Sequence, residues 1–324
     1  MRGVPSGRGR IALTIVKLLD RKWVERLEMP DVTPHKQLDR HLKSAPFNRF
    51  RSIQRLSADR SGRVSVEHVR HQLYVGRDKR TRASALIKVL TKPGLVYEQN
   101  LTNEIAALST INRKLPDSRY FPLLWDHGCL PDGRVFLIMA LFHEWPLATA
   151  VGAERMPDRL VAHIRTSLEV GRAIADLHRI GIFHVDLNPM NILYRVEQTR
   201  PVIRVVDFES AYETERHSNG VAYNPATTPG FCAPEVVCGR TPDGRADVFS
   251  LGAVLYTLIA GYGWTWDTDP SSRIQADNEI DADLKTILLT AVDPDAGRRY
   301  PSIEKMSAAL SAYLESIWPG RSLA

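Results

Sequence analysis

Between His184 and Leu193 the chain reads His-Val-Asp-Leu-Asn-Pro-Met-Asn-Ile-Leu, and a hairpin's length later it reads Val206-Asp207-Phe208-Glu209. Two carboxylates, Asp186 and Asp207, and a carboxamide, Asn191, therefore stand on short polar stretches flanked by apolar, strand-like residues. Mg²⁺ takes hard oxygen ligands, usually one or two of them carboxylates, and fills its remaining positions with water and phosphate oxygens. A separate carboxylate, kept off the metal, is what takes the proton of an attacking hydroxyl. These residue types fit the holding of a Mg²⁺-nucleotide beside an oriented alcohol.

The elements that must position them follow from periodicity. Phe50 to Leu56, Arg63 to Val69 and Ser84 to Leu90 alternate as strands, with a turn expected at Gly76-Arg77-Asp78-Lys79. Residues 97–111 read as a helix carrying Glu104, and Phe121 to Trp125 and Arg134 to Leu141 return to strand. Beyond Leu147 the chain is mainly helical, over residues 159–180, 247–260, 282–292 and 302–317. The strands there are the pair around Ile192 to Tyr194 and Ile203 to Val206. A small sheet-plus-helix lobe joined to a larger helical lobe is an α+β arrangement, with the cleft between lobes as the expected ligand site.

Composition narrows the class. At 324 residues, 44% hydrophobic and 25% charged, the chain is that of a globular protein with room for one two-lobed domain and an extension. The cysteines Cys129, Cys232 and Cys238 are too few and too irregularly spaced for a disulfide framework or a zinc site, so a reduced, cytoplasmic protein is expected. No apolar run reaches the roughly 18 residues of a membrane span. The net charge is +6, and Arg2, Arg8, Arg10, Lys17, Arg21, Lys22 and Arg26 crowd the N-terminus. Ile11, Ile15, Leu18, Leu19, Trp23 and Leu27 make residues 9–28 an amphipathic helix, whose basic residues read as a solvated face; no nucleic-acid motif accompanies them. Pro34 and Pro46 then mark an irregular connection.

Taken together, the motifs resemble those of the eukaryotic-type serine/threonine protein kinases, over roughly residues 48–318. The resemblance implies a bilobal fold with an N-lobe of about 48–141 and a C-lobe of about 142–318, preceded by a basic extension of residues 1–47 and followed by a tail of 319–324. Asp186 then takes the place of the catalytic base, and Asn191 and Asp207 those of the Mg²⁺ ligands. Lys88, ending Ala85-Leu86-Ile87-Lys88, matches the strand lysine that grips the α- and β-phosphates of ATP, and Glu104 the helix glutamate paired with it, with Glu98, nearer the helix start, as the competing partner. A charge at Lys88 lies inside an apolar run, where it would be costly unpaired. Met139 matches the residue at the back of the adenine pocket. The backbone of Ala140 and Phe142 would bond the base, and Val64, Leu86 and Leu193 would sandwich it. Thr228-Pro229-Gly230-Phe231-Cys232-Ala233-Pro234-Glu235 resembles the segment that docks a protein substrate, with Thr228 reaching the catalytic aspartate. Asp247 would brace the catalytic loop, and Arg299 would pair with Glu235.

Four positions depart from the family pattern. In the glycine loop, Ser57-Ala58-Asp59-Arg60-Ser61-Gly62-Arg63-Val64 keeps only Gly62 and Val64, and Asp59 brings negative charge toward a polyanion. Val185 stands where an arginine often receives the activation-segment phosphate, so activity independent of that phosphorylation is expected. Asn188 replaces a lysine near the transferring phosphate, and a lysine restored there would be expected to return a cation. Glu209 replaces the glycine of Asp-Phe-Gly. The function implied is an atypical serine/threonine protein kinase using ATP and Mg²⁺ on a protein substrate. The alternatives are a small-molecule phosphotransferase, which Asn188 and Glu209 motivate, and a pseudokinase scaffold, which the glycine loop motivates.

Overall fold

The computed structural model describes residues 41–55, 71–91, 95–151, 159–198, 200–261 and 269–319. The helix read over residues 9–28, the strand read over 63–69 and the glycine-loop segment with Gly62 and Val64 lie outside the described residues. The rest groups into two compact units. One takes the residues up to Ile105 with Pro122–Trp145; the other takes Ala106–Phe121 with the residues from Pro146 on.

The first unit is built on an antiparallel sheet of five strands. They are β1 (Phe50–Arg55), β2 (His71–Asp78), β3 (Ser84–Leu90), β4 (Leu124–Cys129) and β5 (Val135–Ala140), in the order β1-β2-β3-β5-β4. Side chains alternate between faces with period two. One face carries Tyr74, Ala85, Ile87, Val89, Phe136 and Ile138, all buried with Phe50 of β1 and with Leu42 and Phe47 from the chain leading into it. Phe47 sits 4.8 Å from the Phe136 ring, so residues expected to belong to the extension contribute to this core. The other face carries Lys88. The register sets Leu73 and Leu137 beside it on the neighbouring strands, with Leu86 two residues away on β3. Helix α1 (Leu95–Lys114) follows β3; its part through Ile105 belongs to this unit and its remainder to the other.

Two elements differ from the sequence reading. The expected turn at Gly76–Lys79 is strand: β2 runs through Asp78, and the chain turns over Lys79–Ala83. Glycine signals a turn by propensity, but here it marks a close approach. A Cβ on Gly76 would stand 3.2 Å from the Phe50 Cβ and 3.3 Å from Ile53. Asp78 organises the real turn. Its carboxylate accepts the N–H groups of Arg80 and Thr81, both at 2.9 Å, and the Arg49 guanidinium at 3.0 Å. Strand β4 starts at Leu124 rather than Phe121 because Phe121 packs in the second unit, 6.0 Å from Phe208, and Pro122 has no N–H to give a ladder.

The second unit is mainly helical. Helix α2 (Leu160–Arg179) leads into β6 (Ile182–Phe183), followed by the hairpin of β7 (Ile192–Glu197) and β8 (Arg200–Val205). Strand β9 (Tyr212–Glu213) pairs back onto β6, and short helices α3 (Thr214–Ser218) and α4 (Pro234–Val237) follow. Helices α5 (Gly244–Ala260), α6 (Pro270–Ala276), α7 (Ala282–Ala291) and α8 (Ile303–Ile317) complete it. Asp243, Asp269, Asp281 and Ser302 cap α5, α6, α7 and α8 by accepting first-turn N–H groups. Helix α5 is buried around most of its circumference, from Ala246 to Ile259. It can lie that deep because Gly252 lets the end of α7 approach: a Cβ there would stand 2.8 Å from the Cβ of Ala291. No helix among the described residues is long and apolar enough to cross a membrane.

The Asp78 turn has a pH signature. The Thr81 N–H, with help from the Arg80 N–H and from Arg49, lowers the Asp78 carboxyl from 3.8 to about 2. A carboxylate depressed on folding stabilises the fold above its unfolded pKa, and that contribution is lost as pH falls through the folded value. Asp78→Asn should therefore lower the thermal midpoint at pH 7 and flatten its fall between about pH 4 and pH 2. Melting curves across that range check this; an unchanged acid slope would contradict it.

Candidate active site

The candidate site residues of the first unit start from a buried charge. Lys88 Nζ lies 2.7 Å from Glu104 Oε2, with the lysine side chain 10% exposed and the glutamate 0%. Leu73, Val75, Leu86, Leu137 and Met139 share the Lys88 face of the sheet by register. They are an apolar wall beside one cation, which suits a flat base with a phosphate tail. The sequence reading missed Leu73 and Val75, because the β2 register could not be fixed once Gly76 was read as a turn. It assigned Val64, outside the described residues, to that wall. Ala140 already gives its N–H to the Leu123 carbonyl at 2.8 Å, so its own carbonyl is what it could offer a base. Phe142 follows on the half-buried segment after β5.

In the second unit the candidate catalytic loop runs from His184 to Asn191, between β6 and β7. It hangs on Asp247, a fully buried carboxylate on the first turn of α5. Asp247 accepts the N–H groups of His184 and Val185, each at 2.8 Å, and lies 2.8 Å from His178 Nε2 at the end of α2. Burial alone would raise this carboxyl, but the hydrogen bond and charge of His178 and the backbone donors outweigh it and hold it below the usual range. The anchored N–H groups keep Val185 at φ 69°, a left-handed conformation that a β-branched residue adopts only at a cost. Burial lowers His184, whose neutral ring donates from Nε2 to the Val206 carbonyl (3.2 Å) and packs on Phe208 (5.1 Å). Asp207, next to that carbonyl, is left-handed too, at φ 66°.

The strained backbone presents Asp186. Its Oδ1 accepts the Thr228 N–H at 2.7 Å, and its Oδ2 is 3.2 Å from Asn191 Nδ2. Burial pushes the Asp186 carboxyl up to about 7, Asp207 adding to the effect and the Thr228 and Asn191 bonds opposing it. A carboxylate poised near neutral pH suits a proton acceptor. Asn191 also donates to the Asp186 carbonyl at 2.9 Å, so its side-chain oxygen is the atom it can turn to a cation. Asp207 and the buried Glu209 present carboxylate oxygens within 4.8 Å of each other. This all-oxygen donor set fits Mg²⁺.

Asn188 has a different part from the one its neighbours in sequence suggested. It is 3% exposed, and its Nδ2 donates to Thr228 Oγ1 and to the Asp186 carbonyl, both at 3.0 Å. Its Oδ1 accepts from the N–H of Met190 at 2.9 Å and of Asn191 at 3.3 Å. Both ends of the amide are engaged in holding Thr228 and the loop together. A lysine could replace only the donor end and would take the side-chain acceptor away from the Met190 N–H, while the Asn191 N–H keeps the Asn188 carbonyl at 3.0 Å, so its introduction should cost activity rather than add it.

Farther along, Arg299 grips Glu235 through two bonds of 2.7 Å, as the sequence reading expected. Leu193 is half-buried on β7. Sequence reasoning missed His178, the side-chain partner of Asp247, because a histidine at a helix end carries no distinguishing spacing.

The Lys88–Glu104 pair has a testable cost. Lys88→Met takes the ammonium away from a buried carboxylate, which should lower stability by about 3–5 kcal/mol. Adding Glu104→Leu removes that buried charge and should recover most of the loss. Denaturant midpoints of the three proteins check it; a single variant as stable as wild type would contradict the pairing.

The family model of the protein kinase domain matches residues 70–318, well over half of the chain. Human ribosomal protein S6 kinase alpha-2 is 37% identical over 134 residues, covering 40% of this chain and 18% of that protein. Serine/threonine-protein kinase pkn3 of Myxococcus xanthus is 28% identical over 216 residues, 58% of this chain and 38% of that protein. The chain thus spans less than half the length of either relative. Among solved structures, the kinase domain of Mycobacterium tuberculosis PknI superposes with a TM-score of 0.58 at 19% identity, covering 75% of this chain and 91% of that one, a likeness of fold. The chain belongs to the protein kinase domain family.

Proposed function

We propose that the chain is a serine/threonine protein kinase that moves the γ-phosphate of ATP to a hydroxyl of a protein substrate. The observation that carries this reading is the joint engagement of Asp186 by Thr228, Asn188 and Asn191. Phosphoryl transfer asks for positioning and charge neutralisation more than covalent chemistry. Asp186 would orient the acceptor hydroxyl and take its proton. Lys88, held by Glu104, would neutralise phosphate charge. Asn191 and Asp207 would hold Mg²⁺, which when bound neutralises charge developing on the phosphates. Thr228, fixed through its N–H to Asp186 and its hydroxyl to Asn188, supports a serine or threonine acceptor and ties substrate docking to the base. The cysteines are free, which accords with a cytoplasmic site of action.

A small-molecule acceptor is not favoured, since the curated relatives are protein kinases and Asn188 is consumed within the loop. A pseudokinase scaffold is not favoured either, since the base and both metal ligands are retained together. Asp186→Ala should lower transfer from labelled ATP to a serine/threonine protein substrate by on the order of 10²–10⁴, and Asp207→Ala by a comparable factor. Equal labelling by wild type and Asp207→Ala would sink the mechanism.

Val185 is buried and brings no cation to the loop, while Thr214 and Ser218 are exposed on the segment after β9. The double variant Thr214→Ala/Ser218→Ala should keep transfer within about twofold of wild type, because no arginine precedes Asp186 to read a phosphate. A rate assay on the purified double variant checks this, and a large loss would overturn the independence.

A further inference from the structure

The chain between Ser210 and Thr228 leaves the metal-binding loop and returns to Asp186, and it is closed by uncharged groups. Tyr223 donates its hydroxyl to the Ser210 carbonyl at 2.8 Å, across 13 residues. The Ser210 hydroxyl in turn donates to the Ala226 carbonyl. Two residues beyond Ala226, Thr228 gives its N–H to Asp186. The Tyr223 ring stands edge-on to Tyr212 at 5.1 Å and lies 5.0 Å from His217. Tyr212 stacks on His217 at 4.8 Å and on Phe183 at 6.2 Å. Phe183 receives the edge of His178 at 5.2 Å, and His178 is the side-chain partner of Asp247. A continuous aromatic chain therefore runs from the anchor of the catalytic loop to Tyr223. Burial pushes the Tyr223 hydroxyl up, which keeps it a donor throughout the neutral range.

We propose that Tyr223 is a positioning residue for the catalytic base: ring and hydroxyl together close the segment after the metal-binding loop and hold Thr228 against Asp186. The proposal rests on the phosphotransfer reading for its effect on rate, but its effect on backbone order does not. The latch needs no modification, because its contacts are rings and neutral hydrogen bonds. Thr214 and Ser218 lie on the outward part of the segment, away from the bonds that close it. Loss of the ring should free Thr228 from Asp186 and leave the Lys88–Glu104 pair of the first unit intact.

The test uses the full chain with Tyr223→Ala, Tyr223→Leu and Tyr223→Phe. Amide exchange at Thr228 is followed by mass spectrometry, and kcat and KM for ATP are measured before and after phosphatase treatment. In Tyr223→Ala, exchange at Thr228 should speed by about tenfold or more, and kcat should fall about tenfold with KM for ATP little changed. Tyr223→Phe keeps the ring and should restore most of both. Tyr223→Leu keeps apolar volume and is read like Tyr223→Ala if that variant folds poorly. Wild-type protection and kcat in both Tyr223→Ala and Tyr223→Leu would overturn the proposal, as would loss of wild-type activity on phosphatase treatment. A wild-type protein that transfers no phosphate would overturn the kinase reading instead, and the exchange comparison would still decide the part of Tyr223.

Discussion

The buried carboxylate of Asp247 is the constraint on which the second unit's chemistry depends. It takes two consecutive backbone N–H groups, from His184 and Val185, and one histidine side chain. A charge so far from water is tolerable only when donors satisfy it, and these three bonds hold it ionised. The bond to Val185 has a structural consequence beyond its energy. It fixes a β-branched residue at positive φ, a conformation of order 1–3 kcal/mol above its alternatives. The next residue is Asp186, so the strain falls where the proposed base is presented.

The surrounding helices serve that anchor. Asp247 can be buried because α5 is buried, and α5 is buried because Gly252 admits the end of α7. Glu235 and Arg299 tie the end of the Thr228 segment to the same helix: Arg299 also bonds the Arg245 carbonyl at 3.0 Å and lies 5.0 Å from the Phe249 ring. Thr228 is held from one side by Asp186 and Asn188, and the segment behind it is closed by Tyr223. In the first unit the corresponding constraint is the Lys88–Glu104 pair, set in an apolar wall that leaves the lysine little freedom.

Much of this was legible in the sequence, for a physical reason. Asp186, Asn191 and Asp207 lie on short loops whose lengths leave the backbone few conformations, so residue type and spacing nearly determine their placement. Asp247 and the Glu235–Arg299 pair were legible through the resemblance of their motifs to those of the protein kinases, and the structure shows the physical reason for them, since each buried charge has its partner. What was not legible depended on contacts between distant residues. Gly76 looked like a turn because only the packing of Phe50 and Ile53 against it explains a glycine inside a strand. Leu73 and Val75 were hidden by the same misreading, since a shifted β2 register conceals which residues share a face with Lys88. Asn188 was read as a weakened lysine, and only the positions of Thr228, Met190 and Asn191 reveal an amide used at both ends. His178 and Tyr223 act through rings and single bonds that leave no spacing pattern.

The most direct test of this account is Asp247→Asn. The amide keeps the size of the side chain but offers one oxygen to two N–H groups and turns a donor toward the other. The account predicts faster amide exchange at His184 and Val185 together with a fall in kcat of on the order of tenfold to a hundredfold, with KM for ATP little changed. Faster exchange at those two amides with a wild-type kcat would contradict it, because the loop would then present Asp186 correctly without its anchor.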